Sequence, residues 1–341
     1  MNFSFRRYIS AMLCSALLGF SFASCSNDDD DENIGGVIPE LGTPKYEAES
    51  AKYLISGDSD VESIEFTASG NYIICTDVYS INWGQSPRKS AKIKKVSMLK
   101  GLVDKSRATT YNGIISGKYT IDSNGVYQLE GFGTITITSE DGSYLIKIRT
   151  NEGENLDLNA RKGSEIGNSE MTQAICRSWN IDAFRLFIKV GNRTIFDKTS
   201  PKAEIKNLLD DLVKTMMKYG DEDDMEWTPE DQEELNLLAE MLKSAEQITF
   251  SKSGTYMVSY TNNLLAISTW TWVNENKGLI RYSWDYSDIE SDNLGGLATI
   301  TFNGNKLNVT ESMIDEDEDD EDDEDYYPVK FDLTYITSEA K

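Results

Sequence analysis

Histidine does not occur in this 341-residue chain. Its absence removes the commonest general base, the histidine-centred catalytic triads and most transition-metal sites in one step. Positive charge is also scarce: 33 Lys and Arg face 58 Asp and Glu, a net charge of −25, so no nucleic-acid footprint is expected. No Gly-rich phosphate loop, nucleophile elbow or clustered-cysteine motif occurs. A two-carboxylate mechanism, as in glycoside hydrolysis, stays formally open, but nothing singles out one pair among so many acids. The chain therefore reads as non-catalytic, with no catalytic residue, no metal site and no cofactor. Beyond the N-terminus no apolar run approaches the roughly 20 residues that a membrane-spanning helix needs. Of four cysteines, Cys14 and Cys25 lie near the N-terminus, and the spacing leaves open whether Cys75 and Cys176 pair.

What is present begins with an ordered series of short segments. Arg6 and Arg7 precede an almost uncharged, mostly apolar stretch from Tyr8 to Phe20, the pattern of an export signal. Ala23 and Ser24 lead directly into Cys25, and Asp28 to Glu32 is a block of acid. The first junction resembles the lipobox of bacterial lipoproteins, with Phe22 where that family usually has leucine. The resemblance implies cleavage after Ser24 and acylation of Cys25, including palmitate. Several acyl chains, each contributing about 0.8 kcal/mol per buried CH₂, hold a protein stably on a membrane. The acid resembles the export tag of Bacteroidota surface lipoproteins, which implies a lipid-anchored protein of the outer membrane facing the cell exterior. On this reading residues 1–24 are the signal peptide and residues 25–45 a lipidated acidic tether.

The rest of the chain carries an internal repeat. "ESIEFTASGNYII" from Glu62 aligns without gaps on "EQITFSKSGTYMV" from Glu246, and "GFGTITI" from Gly131 matches "GLATITF" from Gly296. In the second copy Ile248 and Phe250 alternate with polar residues, Ser253 and Gly254 supply a turn, and Tyr256 and Val258 alternate again. That is a hairpin with one buried face. Each half holds around eight such strands, and an antiparallel meander closing on itself removes exposed edges. The expected division is 46–165 for an N-terminal barrel-like domain and 170–341 for a C-terminal one. One region breaks the pattern, a helical insert at about 200–246. Ser200 with Pro201, then Thr228 with Pro229, read as two helix starts. Ile205, Leu208, Leu209, Leu212 and Met216 form the first apolar stripe, and Leu235, Leu238, Leu242 and Ala245 the second. The pair would cover one end of a barrel or pack on its outside.

"ICRSWNIDAF", with Trp179 opening a strand, and "SKSGTY" resemble the lipocalin-like domains of Bacteroidota lipoproteins. Arg177 stands where true lipocalins carry glycine. The implied fold class is mostly β, two tandem antiparallel lipocalin-like β-barrels, the second with the inserted helical pair.

"STWTWVNENKGLIRYSWDYSD" is the candidate binding segment. Trp270 and Trp272 share one strand face, and Tyr282, Trp284 and Tyr286 share one face of the return strand. They form either barrel core or a platform for a small apolar ligand or a glycan. Residues 315–325 read as a solvated acidic loop, and Arg88 to Arg107 as a basic stretch suited to an acidic partner or to an exposed loop. Two functions fit: a cell-surface protein binding a small apolar ligand or glycan, or a structural or accessory subunit docking onto another cell-envelope protein.

Overall fold

A computed structural model describes residues 37–57, 59–76, 109–111, 114–219, 228–261, 265–283, 295–315 and 329–340. The signal segment, Cys25, the acid block, the basic stretch, Trp284, Tyr286 and the acidic run after Asp315 lie outside the described residues. No described helix is long and apolar enough to cross a membrane.

The first barrel is built from β1 (Ala51–Ser56), β2 (Val61–Phe66), β3 (Asn71–Thr76), β5 (Ile114–Ile121), β6 (Tyr127–Leu129), β7 (Gly133–Glu140), β8 (Ser143–Thr150) and β9 (Asn155–Lys162), with β4 (Thr109–Tyr111) added outside β5. Neighbours in the ring are antiparallel, and β3 with β5 and β1 with β9 complete it. The second barrel uses β10 (Ser178–Val190), β12 (Ala245–Phe250), β13 (Thr255–Tyr260), β14 (Leu265–Asn274), β15 (Leu279–Ser283), β16 (Gly295–Asn303), β17 (Lys306–Asp315) and β18 (Val329–Glu339). The pairing of β10 with both β12 and β18 closes it, and β11 (Arg193–Pro201) hangs on the outer part of β10. Two closed eight-stranded antiparallel barrels thus stand in tandem, and closure leaves each ring without a free edge.

The repeat is visible atom by atom. In the first hairpin turn Gly70 N–H donates to Thr67 O at 3.0 Å, Asn71 N–H to Thr67 Oγ1 at 3.0 Å and Thr67 N–H to Asn71 O at 2.8 Å. In the second, Gly254 N–H donates to Ser251 O at 3.1 Å, Thr255 N–H to Ser251 Oγ at 3.0 Å and Ser251 N–H to Thr255 O at 2.9 Å. Gly70 and Gly254 have φ of +79° and +84°, which glycine adopts without the steric penalty of a Cβ. A ring donor then closes each turn from the third strand. Tyr119 Oη donates to Thr67 O at 3.0 Å, and Trp270 Nε1 donates to Ser251 O at 3.1 Å.

The helical insert departs from its expected boundaries. Ser200 is buried and pairs with Phe184 in β11, so the Ser-Pro signal ends a strand, and a 3-10 turn at Lys202–Glu204 leads into α2 (Ile205–Tyr219). Before it in the chain lies α1 (Glu170–Ile175), in the connection between the barrels. The start of α3 (Pro229–Ser244) is as expected: Thr228 is the N-cap, its side chain accepts from Asp231 N–H, and Asp231 accepts in return from Thr228 N–H, a capping box. Ala245 begins β12 and does not belong to the stripe's helix. Ile205, Leu209, Leu212, Leu238 and Leu242 are buried in the same core as the barrel's interior rings, so the pair is part of that core.

The segment before β1 also differs from a free tether. Ile38 and Leu41 pack against the second barrel's core, and Gly42 O accepts from Arg177 Nη1 at 2.9 Å. Between the barrels, Ile73, Cys75 and Ile114 of the first meet Met257 and Ile267 of the second in one buried cluster. Cys75 lies there and Cys176 in the second core, as buried thiols; no disulfide joins them.

Candidate functional site

One end of the second barrel is filled with apolar side chains. Trp179, Phe184 and Trp270 are wholly buried; Trp270 meets Phe250 edge-on at 5.4 Å between ring centroids. There α1 packs Met171, Ala174 and Ile175 into the core, and Trp179 Nε1 donates to Ile175 O at 3.0 Å. Trp272 is half-buried and donates through Nε1 to Thr172 Oγ1 of α1 at 2.9 Å. Of the candidate binding residues, Trp270 is therefore enclosed by protein and holds a turn, Trp272 braces the short helix, and Trp284 lies outside the described residues. Tyr282 belongs to a different group.

That group starts beside these rings, where Tyr282 pairs across the sheet with Trp270 and the Tyr256 ring lies 5.1 Å from Phe250, and extends through Tyr260 and Glu311 toward the other end. The pleat of β17 places Leu307, Val309 and Glu311 on its inner face, and Leu307 and Val309 are fully in the core. Tyr256 and Tyr260 of β13, Tyr282 of β15 and Tyr335 of β18 turn toward the same interior; each feels the Glu311 charge. Tyr282 pairs across the sheet with Gly296. The Tyr282 hydroxyl and the Glu311 carboxylate share a hydrogen bond, and the Tyr256 and Tyr282 rings lie 6.0 Å apart.

The electrostatics follow from burial. Loss of solvation pushes the Glu311 carboxyl up to about 7, against the opposing pull of its Tyr282 bond. Burial, reinforced by the neighbouring carboxylate, raises Tyr260 to about 12 and lifts Tyr256, Tyr282 and Tyr335 as well. Glu311 and Tyr260 nonetheless keep part of their surface accessible. Among the described residues, no lysine or arginine forms an ion pair with Glu311, and no group of three or more Cys, Asp and Glu side chains is arranged to hold a metal ion.

The first barrel has no counterpart to this carboxylate. Glu311 pairs with Ala298 as Thr150 pairs with Gly133, so Thr150 occupies the matching place. There β8 ends, whereas β17 continues to Asp315; the second barrel is deeper at the end holding the cluster. Apart from Tyr282 the sequence reading did not find this cluster, although the alternation Leu307, Val309, Glu311 was the signal for it.

No protein-family model matches the chain, and no curated protein matches it.

Proposed function

We propose that the chain is a non-catalytic, lipid-anchored binding protein displayed on the outer face of a bacterial outer membrane, with the interior of the second barrel as its ligand site. The observation that carries the reading is the Glu311 cluster: a few convergent polar groups, of which Glu311 and Tyr260 are partly accessible, toward the deeper end of an otherwise apolar barrel, which is the general make-up of a small-molecule site. The anchor rests on Cys25 and its flanking residues. A segment leading from that anchor is bound beside Arg177, where β10 begins, at the opposite end from Glu311. A membrane-tethered chain would thus hold the cluster's end away from its strap.

The test is a fluorescence titration of the full chain in mild detergent against small apolar molecules and short glycans, with Tyr260→Ala in parallel. A saturable response lost in the variant supports the reading; a flat response across the panel overturns it. Metabolic labelling with palmitate, retained in the wild type and lost in Cys25→Ser, tests the anchor.

A second reading, an accessory subunit docking onto an envelope protein, is favoured by one observation. Met217 of α2 and Leu237 of α3 are about half exposed, large apolar side chains turned outward on the helical pair. Cross-linking that yields a stoichiometric partner, abolished by Met217→Lys with Leu237→Lys, would support it.

A further inference from the structure

We propose that the deeper end of the second barrel binds a small organic cation, a protonated amine or a quaternary ammonium, against the Glu311 carboxylate and the rings of Tyr256, Tyr260, Tyr282 and Tyr335. The inference rests on the ligand-site reading above and names the chemistry of the ligand.

The groups of this cluster share one electrical character. Glu311 is acceptor-only when ionised, phenol oxygens accept, and the faces of aromatic rings carry negative potential. A cation within about 6 Å of such a face is attracted by roughly 0.5–2 kcal/mol, most strongly when desolvated. The four tyrosines come from three different strands and the carboxylate from a fourth. The charge therefore meets acceptors from several sides.

The charge balance inside the barrel points the same way. The Glu311 carboxylate has the Tyr282 hydroxyl as its hydrogen-bond partner and no cationic side chain among the described residues as an ion-pair partner. Burying a carboxylate without a counter-charge is costly, and the group responds by holding its proton. An anionic ligand would meet a like charge, and a neutral apolar ligand would leave the carboxyl with its desolvation uncompensated. A cation supplies the missing counter-charge. The field of the whole chain, at −25, favours arrival of the same sign.

Binding should be linked to protons in a defined direction. The titratable groups facing Glu311 are Tyr256 and Tyr260 from β13, Tyr282 from β15 and Tyr335 from β18, all held neutral to high pH; β16 contributes Ala298, which does not titrate. Only Glu311 changes charge near neutrality. Its ionised fraction rises about tenfold from pH 6 to pH 8, and the affinity for a cation rises with it.

The decisive comparison uses choline and its uncharged carbon isostere 3,3-dimethyl-1-butanol, titrated calorimetrically into the full chain in mild detergent. The expected result is saturable choline binding, at least tenfold weaker binding of the isostere, about tenfold tighter choline binding at pH 8 than at pH 6, and loss of that pH dependence in Glu311→Gln. Tyr282→Phe, which keeps the ring and removes the hydroxyl bond, should weaken choline severalfold and serves if the first variant misfolds. Equal binding of the two probes, or unchanged choline affinity in folded Glu311→Gln, overturns the cation while leaving a ligand site in place. If neither probe binds and the panel of apolar molecules and glycans is also silent, the ligand-site reading falls with it.

Discussion

Thr255 Oγ1 of the second barrel donates a 2.5 Å hydrogen bond to Glu65 Oε2 of the first, across a buried junction. Both residues sit in the duplicated hairpin, Glu65 before its turn and Thr255 just after. The neighbouring apolar contacts use the same pair of hairpins, with Ile73 and Met257 at matching places in the repeat and in one cluster. The bond has no reciprocal mate: Asn71, which matches Thr255 in the repeat, is buried with its side-chain nitrogen lacking a hydrogen-bond partner.

The junction's sensitivity follows from the state of Glu65, which is fully buried and whose Oε1 has no hydrogen-bond partner. Removing the Thr255 hydroxyl strips the carboxylate of a donor, so Thr255→Val should lower stability by roughly 1–3 kcal/mol. Replacing both partners, Glu65→Met with Thr255→Val, removes the polar group that the single change strands and should recover most of the loss. Urea unfolding of the three variants checks this; a double variant weaker than the sum of its singles would contradict it.

Glu311 sets a pH dependence whose sign is fixed. Its pKa is raised from 4.5 to about 7 on folding, so the folded state holds the proton more tightly. The resulting stabilisation is complete below about pH 4.5 and is lost as the pH rises through 7, on the order of 3 kcal/mol in all. Glu311→Gln has no such titration and should be more stable than wild type at pH 8, with the advantage vanishing near pH 4. Thermal melts across that range decide it, and parallel curves for the two proteins would refute the assignment.

Two tight turns separate strain from crowding. Gly278 and Gly304 both have left-handed backbone, φ +64° and +59°, but a Cβ on Gly278 would sit 2.1 Å from Ile300 O whereas one on Gly304 would meet open space. Gly304→Ala should cost about 1–2 kcal/mol for the conformation alone. Gly278→Ala must also displace the β16 backbone and should cost clearly more. Comparable denaturant midpoints for the two variants would show that the close approach is relieved elsewhere.

The cap of α3 offers a local measure of the helical insert. Thr228→Ala removes the acceptor for Asp231 N–H and should destabilise by about 1 kcal/mol, while Thr228→Ser should be close to neutral. Hydrogen exchange of the first-turn amides of α3 is the direct readout: protection falls in the alanine variant and stays in the serine one.

Much of this architecture was legible in the chain because it is written in period and turn chemistry. The alternation in "ITFSKSGTYMV" and its copy gave both hairpins, and the Thr-Pro start gave α3. Ser200-Pro201 misled because the same pair that opens a helix also ends an edge strand such as β11, where proline's missing N–H costs no ladder bond. Trp270 read as a candidate ligand contact since alternation shows only that a face is buried, without saying by what. Its counterpart Tyr119 does the same work in the first barrel, which no residue-type match reveals. Glu311 was hidden among 58 acids; its meaning lies in the four rings around it, which come from strands far apart in sequence.

The junction between the barrels also carries a consequence for their origin as a pair. Its apolar cluster comprises five side chains, a modest patch for holding two independent molecules together. Residues 163–177 join the barrels covalently, and a short connection of this kind keeps its two ends at an effective concentration in the millimolar range. At roughly 1 mM, a contact with an intrinsic dissociation constant of about 10 μM is closed about 99% of the time. A contact of that strength, too weak to hold separate copies together when dilute, would be a standing arrangement within one chain, while each barrel's interior keeps its own residue at the matching place: Thr150 in one, Glu311 in the other.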